Sequence, residues 1–522
     1  TTPSVWYLAH LAVGDENLVG STLPGVPQVV LGRNNYAAWG FTNTGPDVQD
    51  LYFERISRDN EAHYETPTGT DSFTTRREVI KVKDGNDVVL NVRETRHGPV
   101  ISDVMDDLKA SLPSNLVVSF RWTALDKTDS TPTSVNGTLT MRTLDDFVSN
   151  MSAFHAPQQN MIFANVDGDI GYFAPASVPI RHPDNKLWGH VPALGWDATY
   201  DWQGYIPVED LPKTLNPEKG YVATANAKIV ENDYPHFLGD DWAYPYRTER
   251  IVELLEATPK HSIESFIDLI MDDKSVMAEE LLPFMLPHMP ESDIKTALGN
   301  WDYAMDRDKP EPLIYMSIHR HLIKHLIEDD FADDFSSKWH QRPEFLLNVL
   351  TNKDGQGHWC DDQRTTETET CGDIVSAATL TALAELNEKH GANWQAWRWG
   401  AVHVARNSHT PFSQVSALQS IFDNIIEVDG GPYTVNVTNV RFSRNRNPFE
   451  TSHGASYRAI YDLSNLDNSR YIYPAGQSGN LFSNHYNNLT EDWSNGTFFT
   501  ISTDMSELEK QYKNQTVVLN KK

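Results

Sequence analysis

Cysteine is nearly absent: 2 residues in 522, both in the segment WCDDQRTTETETC as Cys360 and Cys371. Two thiols so close, in a polar stretch, read as a local disulfide; free thiols or two ligands of a metal site are the alternatives. His358 is the histidine close by, so a four-ligand zinc site would need a distant partner. A disulfide over so short a loop contributes ~3 kcal/mol in the chain-entropy model and belongs to an oxidising compartment. Positive charge is also short. Lys and Arg number 43 against 72 Asp and Glu, a net charge of −29. Such a surface repels phosphate backbones, which argues against nucleic-acid binding and suits a periplasmic or secreted protein, or one adapted to salt. Uninterrupted apolar runs of about 18 residues are missing, so no membrane span is expected. No charged-then-apolar leader opens the chain. Internal repeats and low-complexity tracts are missing too.

What is present is ordinary globular composition, 39% hydrophobic and 22% charged, with 14 Trp, 20 Tyr and 21 Phe to form buried aromatic clusters. The length suffices for two or more domains. From Val5 to about Tyr246 the pattern is mostly β. Glu78–Lys83 alternates, Asp84-Gly85 turns, and Val88–Val92 continues as a hairpin. Val117–Trp122 reads as a strand. Leu144–His155 reads as a helix capped by Thr143. Met161–Ala164 and Ile170–Phe173 flank Asp167-Gly168-Asp169, which lacks the downstream Glu of a calcium-binding helix–loop–helix and so reads as a hairpin turn. From about Thr248 to His390 the signals become helical. Pro310–Asp330 reads as an amphipathic helix; its His319, His321 and His325 lack an acidic base between them, which disfavours a metal role. Past Asn393 strands and aromatics return, at Trp397–Gly400, Tyr433–Val437 and Ser456–Asp462. Gly476-Gln477-Ser478-Gly479 is not the GxSxG of a serine-hydrolase elbow and reads as a turn. The expected organisation is a β-rich core over 1–247, a mostly helical insertion over 248–392 and a return to the core over 393–522, one mixed α/β body in layers.

The stretch Gly32–Ile56, GRNNYAAWGFTNTGPDVQDLYFERI, reads as strand, loop, strand. Its loop carries Gly, Pro and Asn, which permit unusual backbone angles and leave N–H groups free. Asp47, Gln49 and Asp50 add spaced oxygen atoms. Free N–H groups beside carboxylates suit an oxyanion or a hard cation, and an ordinary polar turn is the plainer alternative.

The string from Val29 to Ile56 resembles the β subunit of penicillin acylases, the penicillin amidase branch of the N-terminal-nucleophile hydrolases. Further segments agree in order: NVDGDIGY at 165–172, GYVATANAKI at 220–229, NDYPHFLGDDW ending at Trp242, YRTERI ending at Ile251, WCDDQRTTETETC, HGASYRAIYDL ending at Leu463 and PAGQSGNLFSNHY ending at Tyr486. The resemblance runs over nearly the whole chain. It implies a four-layer αββα sandwich with a mostly helical insertion. It also implies a precursor that cleaves itself into α and β chains, so that an α chain is the expected partner and a small acyl amide the expected substrate. In that family an N-terminal Ser attacks the amide with its own α-amine as base. Such an amine titrates near ~7.7–8.0 and is partly neutral at working pH.

Residue by residue, the resemblance makes Asn226 the side-chain donor of the oxyanion hole and the backbone N–H of Asn43 the second donor. Arg247 matches the arginine that holds the oxyanion asparagine in place. Leu31 matches a position lining the apolar acyl pocket. Asp47 and Asp50, with the carbonyl of Gln49, look like ligands of a structural calcium; Asp241 is the choice for a later carboxylate, with Asp240 adjacent. The nucleophile motif, Ser followed by Asn, is missing. Either the Ser-bearing segment lies outside this sequence or Thr1 is itself the nucleophile; Pro3–Tyr7 resembles family interior sequence, which favours the first. Besides an acylase acting on penicillins, acyl-homoserine lactones or acylated peptides, the missing Ser leaves a non-catalytic binder of acylated small molecules. A calcium-dependent surface-binding protein is a third reading, against which the retained asparagine speaks.

Overall fold

Alternating side chains set the strand Gln159–Asn165, whose Met161 and Phe163 point inward and are buried. In the computed structural model, which describes residues 1–444, 446–515 and 517, this strand lies between two antiparallel partners. On one side runs Ala37–Asn43, with Phe163 opposite Trp39 and Gln159 opposite Asn43. On the other runs Ile170–Phe173, joined by the Asp167–Asp169 turn in which Gly168 takes a φ of 94°. Leu31–Arg33 pairs with Ala37–Asn43, and Lys213–Leu215 with Ile170–Phe173. The helix Leu144–Met151 packs against these strands. Thr143 caps it, its hydroxyl accepting from the Asp146 N–H at 3.1 Å while the Asp146 carboxylate accepts from the Thr143 N–H at 3.0 Å. Phe147 stacks on Phe163 at 5.0 Å. Gly171 permits the approach, because a Cβ there would lie 2.8 Å from Leu144 Cδ2.

A second sheet holds Gln49–Arg55 between Leu116–Trp122, antiparallel, and Ala193–Leu194, parallel. The inward face of Gln49–Arg55 is polar: Asp50, Tyr52 and Glu54 are buried there. Glu54 is 0% exposed, and one of its oxygens accepts from Thr95 Oγ1 at 2.8 Å, Ser119 Oγ at 2.8 Å and His97 Nδ1 at 2.7 Å. Three donors on that one oxygen offset the burial of the charge and tie the strand to its neighbours, while the other oxygen, Oε2, is buried without a hydrogen-bond partner. The hairpin Thr74–Ile80 with Val88–Thr95 forms as expected, although its connection spans residues 81–87. All of these elements belong to one compact unit, Leu31–Ala243.

The other unit comprises Thr1–Val30 with Tyr244–Lys522. It carries the hairpin Tyr7–Val13 with Glu16–Thr22 and a helical core. At its centre is Glu311–Phe331, where Leu313, Ile314, Met316, Ile318, Leu322, Ile323 and Leu326 are each 0% exposed. This corrects the expectation of an amphipathic stripe: the helix is buried on nearly every face, packed against Cys371–His390. Two of its three histidines hydrogen-bond within the core. His319 Nε2 donates to the Gln341 carbonyl at 2.6 Å, and His321 Nε2 meets Glu385 Oε2 at 2.6 Å. Cys360 and Cys371 are disulfide-bonded with Cα atoms 5.0 Å apart, as the spacing suggested.

Two strand expectations fail. Trp397–Gly400 lies between and within short 3₁₀ turns, Trp394–Ala396 and Trp399–Ala401. Tyr433–Val437 is a turn, because Thr434 Oγ1 both accepts from the Gly431 N–H at 3.0 Å and donates to the Asn436 carbonyl at 2.8 Å. A hydroxyl that bonds its neighbouring backbone competes with a strand ladder.

Candidate functional site

Asn43 ends the strand Ala37–Asn43 and is exposed at its tip. Its peptide is held from several sides. The buried Asn160 donates from Nδ2 to the Asn43 carbonyl at 3.1 Å and is itself fixed by the Tyr172 hydroxyl, which donates to Asn160 Oδ1 at 2.6 Å. Burial drives the Tyr172 pKa well above the usual tyrosine value, so the hydroxyl stays protonated and a donor. Gln159 Nε2 donates to Asn43 Oδ1 at 2.9 Å. Asn226 completes the group, its Nδ2 donating to the Asn43 carbonyl at 2.6 Å and to Thr42 Oγ1 at 2.6 Å.

Asn226 has a φ of 70°, in the left-handed region that non-glycine residues rarely occupy, and its carbonyl accepts from the Ala243 N–H at 3.2 Å. Such conformations persist where the surroundings over-determine them, and they concentrate at functional sites. The structure therefore brings together the two asparagines chosen from the sequence. Thr42, Asn160 and Gln159 were missed. The first lies beside Asn43 and the others on the alternating strand opposite it, so strand pairing would have pointed to them.

Leu31 opens the strand Leu31–Arg33 and is half-buried. Arg247 sits at the start of the helix Tyr246–Glu256 in the other unit, where burial lowers its pKa and Tyr433 acts in the opposite sense.

The Asp47 and Asp50 carboxylates converge. Arg181, on the strand Pro179–Arg181, donates to Asp50 from Nη2 at 2.9 Å and from Nε at 3.2 Å, and its Nη2 lies 3.1 Å from Asp47 Oδ1. Trp202 Nε1 also donates to Asp50 Oδ2, at 2.5 Å. Burial raises the Asp47 pKa; the Arg181 cation opposes this and the Asp50 charge adds to it. A Cβ on Gly189 would stand 2.5 Å from Asp50 Oδ1 and 2.7 Å from Asp47 Oδ2, so a glycine leaves the space before the two carboxylates open. A recess of about 420 Å³ walled by Leu51, Ile101 and Phe120 opens beside Gln49 and Asp50.

The donor chemistry fits a hard cation, since one guanidinium leaves one of the two negative charges uncompensated. The remaining expected ligands fit less well. Gln49 and Asp241 are exposed, and Asp240 turns to His190, its Oδ2 3.0 Å from Nε2. Among the described residues no group of three or more His, Cys, Asp or Glu side chains converges. The Asp241 carbonyl packs toward Gly45, at 3.7 Å from where a Cβ would be.

The fold is shared with an acylase of known structure: the chain superposes on a thermostable penicillin G acylase from Alcaligenes faecalis with a TM-score of 0.75, at 19% identity, covering 100% of this chain and 95% of that one. The penicillin amidase family model matches residues 1–510, and the chain belongs to that family. Among curated relatives, the penicillin acylase 2 proenzyme of Pseudomonas sp. (strain SE83) is 27% identical over 94% of this chain and 62% of its own length. The acyl-homoserine lactone acylase QuiP of Pseudomonas aeruginosa is 25% identical over 99% of this chain and 65% of its own length. The chain thus spans less than two thirds of each of these relatives. Among the described residues no helix is long and apolar enough to cross a membrane.

Proposed function

We propose that this chain is the β chain of an acylase that hydrolyses the amide bond of a small acylated substrate through an acyl-enzyme. The Asn226–Asn43 contact carries the reading: the Asn226 amide nitrogen lies 2.6 Å from the carbonyl of the residue whose N–H is the expected second donor. A side-chain N–H tied to the strand end whose peptide N–H is the second donor suits a tetrahedral oxyanion. Arg247 enters from the resemblance alone. The nucleophile is an N-terminal Ser outside this sequence, its own α-amine taking the proton, and an α chain from the same precursor is the partner. The names of the relatives support penicillins and acyl-homoserine lactones as candidate substrates. The disulfide supports a periplasmic or secreted location.

The same reading assigns a structural calcium to Asp47 and Asp50, with the Gln49 carbonyl and Asp241 as further ligands. When bound, calcium would neutralise the excess carboxylate charge and brace the loop that follows Asn43.

The test uses the complete enzyme carrying this chain, assayed on phenylacetyl, octanoyl and decanoyl p-nitroanilides. Asn226→Ala should lower kcat by roughly 10²–10³, the usual cost of one oxyanion donor, with an unchanged fold by circular dichroism. Near-normal turnover in the variant would overturn the assignment.

A further inference from the structure

The Asn226 amide has two N–H groups to give, and both are spent within the protein. One goes to the Asn43 carbonyl and one to Thr42 Oγ1, each at 2.6 Å. An oxyanion that takes a bond from Asn226 must displace one of these acceptors. The choice between them follows from what holds each. The Asn43 carbonyl also receives the buried Asn160 amide at 3.1 Å, and the Asn43 side chain is tied to Gln159 at 2.9 Å, so that end of the site does not move. The Asn226 backbone is held as well, in its left-handed conformation, by the bond from the Ala243 N–H at 3.2 Å. The Thr42 hydroxyl, by contrast, hangs on a single side-chain torsion, so its release asks for no change in the strand backbone.

We infer that the Thr42 hydroxyl stands in for the oxyanion in the resting site and is the acceptor that the substrate oxygen displaces. This rests on the acylase reading above, and it makes Thr42 a positioning residue that acts through Asn226. The exchange has a direction. A hydrogen bond to a charged oxygen is roughly twice as strong as one to a neutral oxygen. A ground-state carbonyl therefore gains little by replacing the hydroxyl, whereas the oxyanion gains much. A built-in neutral competitor weakens substrate binding and leaves the charged state favoured.

The test measures kcat and KM on the best p-nitroanilide for the complete wild-type enzyme, Thr42→Val, Thr42→Ala, Thr42→Ser and Asn226→Ala. Thr42→Val keeps the shape and removes the acceptor. Its KM should fall about five-fold, the equivalent of one neutral hydrogen bond, with kcat changing by less than about two-fold. Thr42→Ser should keep the wild-type KM. Thr42→Ala removes the hydroxyl too and should move KM the same way, which covers a Val variant that does not fold. An unchanged KM in both hydroxyl-free variants, or a kcat lowered about ten-fold or more at constant KM, would overturn the inference in favour of a hydroxyl that merely orients Asn226. Asn226→Ala separates the two levels. If it retains wild-type turnover, or the wild type cleaves no amide, the acylase reading fails and this inference with it. If it is inactive while Thr42→Val matches wild type, only the inference fails.

Discussion

His403 sits in the helical unit with no exposure to solvent, its ring stacked on Trp399 at 4.2 Å. Nδ1 donates to the Phe449 carbonyl at 2.7 Å, and Nε2 lies 2.8 Å from Thr438 Oγ1. Burial pushes its pKa down to about 4, against a smaller upward pull from the Phe449 carbonyl. Because the folded value lies below the ordinary histidine value of about 6.5, the unfolded chain takes up the proton first as pH falls. The stabilisation is complete above about pH 6.5 and drains away as pH drops toward the folded value. Between about pH 7.5 and about pH 5 one such histidine costs about 2 kcal/mol. His319, also fully buried and lowered to about 4, adds a similar loss.

Asp273 works in the opposite sense. Burial first, then the charges of Asp429, Asp272 and Asp306, raise its pKa to about 7, so its folded form takes up the proton first and gains stability over the same interval. A raw pH profile therefore mixes signs, and a variant is needed to separate them. His403→Gln deletes one titration. In urea unfolding, its deficit relative to wild type should shrink by about 2 kcal/mol on going from about pH 7.5 to about pH 5. A gap constant to within about 0.5 kcal/mol would refute a neutral, solvent-excluded His403.

Three further outcomes follow from the same structure. If Asp47 and Asp50 hold calcium, chelation should lower the thermal midpoint of the complete enzyme. At calcium about 100-fold above Kd the difference is worth about 2.7 kcal/mol; Asp50→Asn should abolish the response, and a wild-type midpoint indifferent to chelator and added calcium would remove the metal. Cys371→Ser opens the Cys360–Cys371 loop, whose ends are 11 residues apart, and should cost roughly 3 kcal/mol in urea unfolding; an equal loss in wild type on reduction would confirm the origin, and an unchanged midpoint would contradict it. Gly476→Ala would drive a Cβ to 1.8 Å from the His485 carbonyl, so the turn must open and soluble yield should fall sharply, while a fully stable variant would show the turn to be looser than described.

What the sequence revealed of this fold was local. The helix expected over Leu144–His155 forms over Leu144–Met151, set by Thr143 and the spacing of Phe147 and Met151, and the apolar run Met161–Ala164 lies within the strand Gln159–Asn165; both signals act over a few residues. Tyr433–Val437 has strand composition, yet it forms a turn because Thr434 spends its hydroxyl on the neighbouring backbone. The spacing over Pro310–Asp330 predicts an amphipathic helix, and the helix Glu311–Phe331 forms but is buried on nearly every face. Its three histidines and Arg320 look polar in sequence, yet His319 and His321 are buried by partners 22 and 64 residues away.

The candidate site divides along the same line. Asn43, Asp47 and Asp50 lie in one contiguous string, where the family resemblance is easily recognised. Arg181 gave no signal, because an arginine is assigned to the surface until its carboxylates are found, and Asp50 lies 131 residues away. Asn226 was identified by its motif, but neither its left-handed backbone nor its reach to Thr42, 184 residues distant, was legible. Those two features decide whether the asparagine is merely present or aimed. A side chain becomes an oxyanion donor only when its backbone is held against its own preference and its competing acceptors are placed by other strands, and both conditions are properties of tertiary contacts.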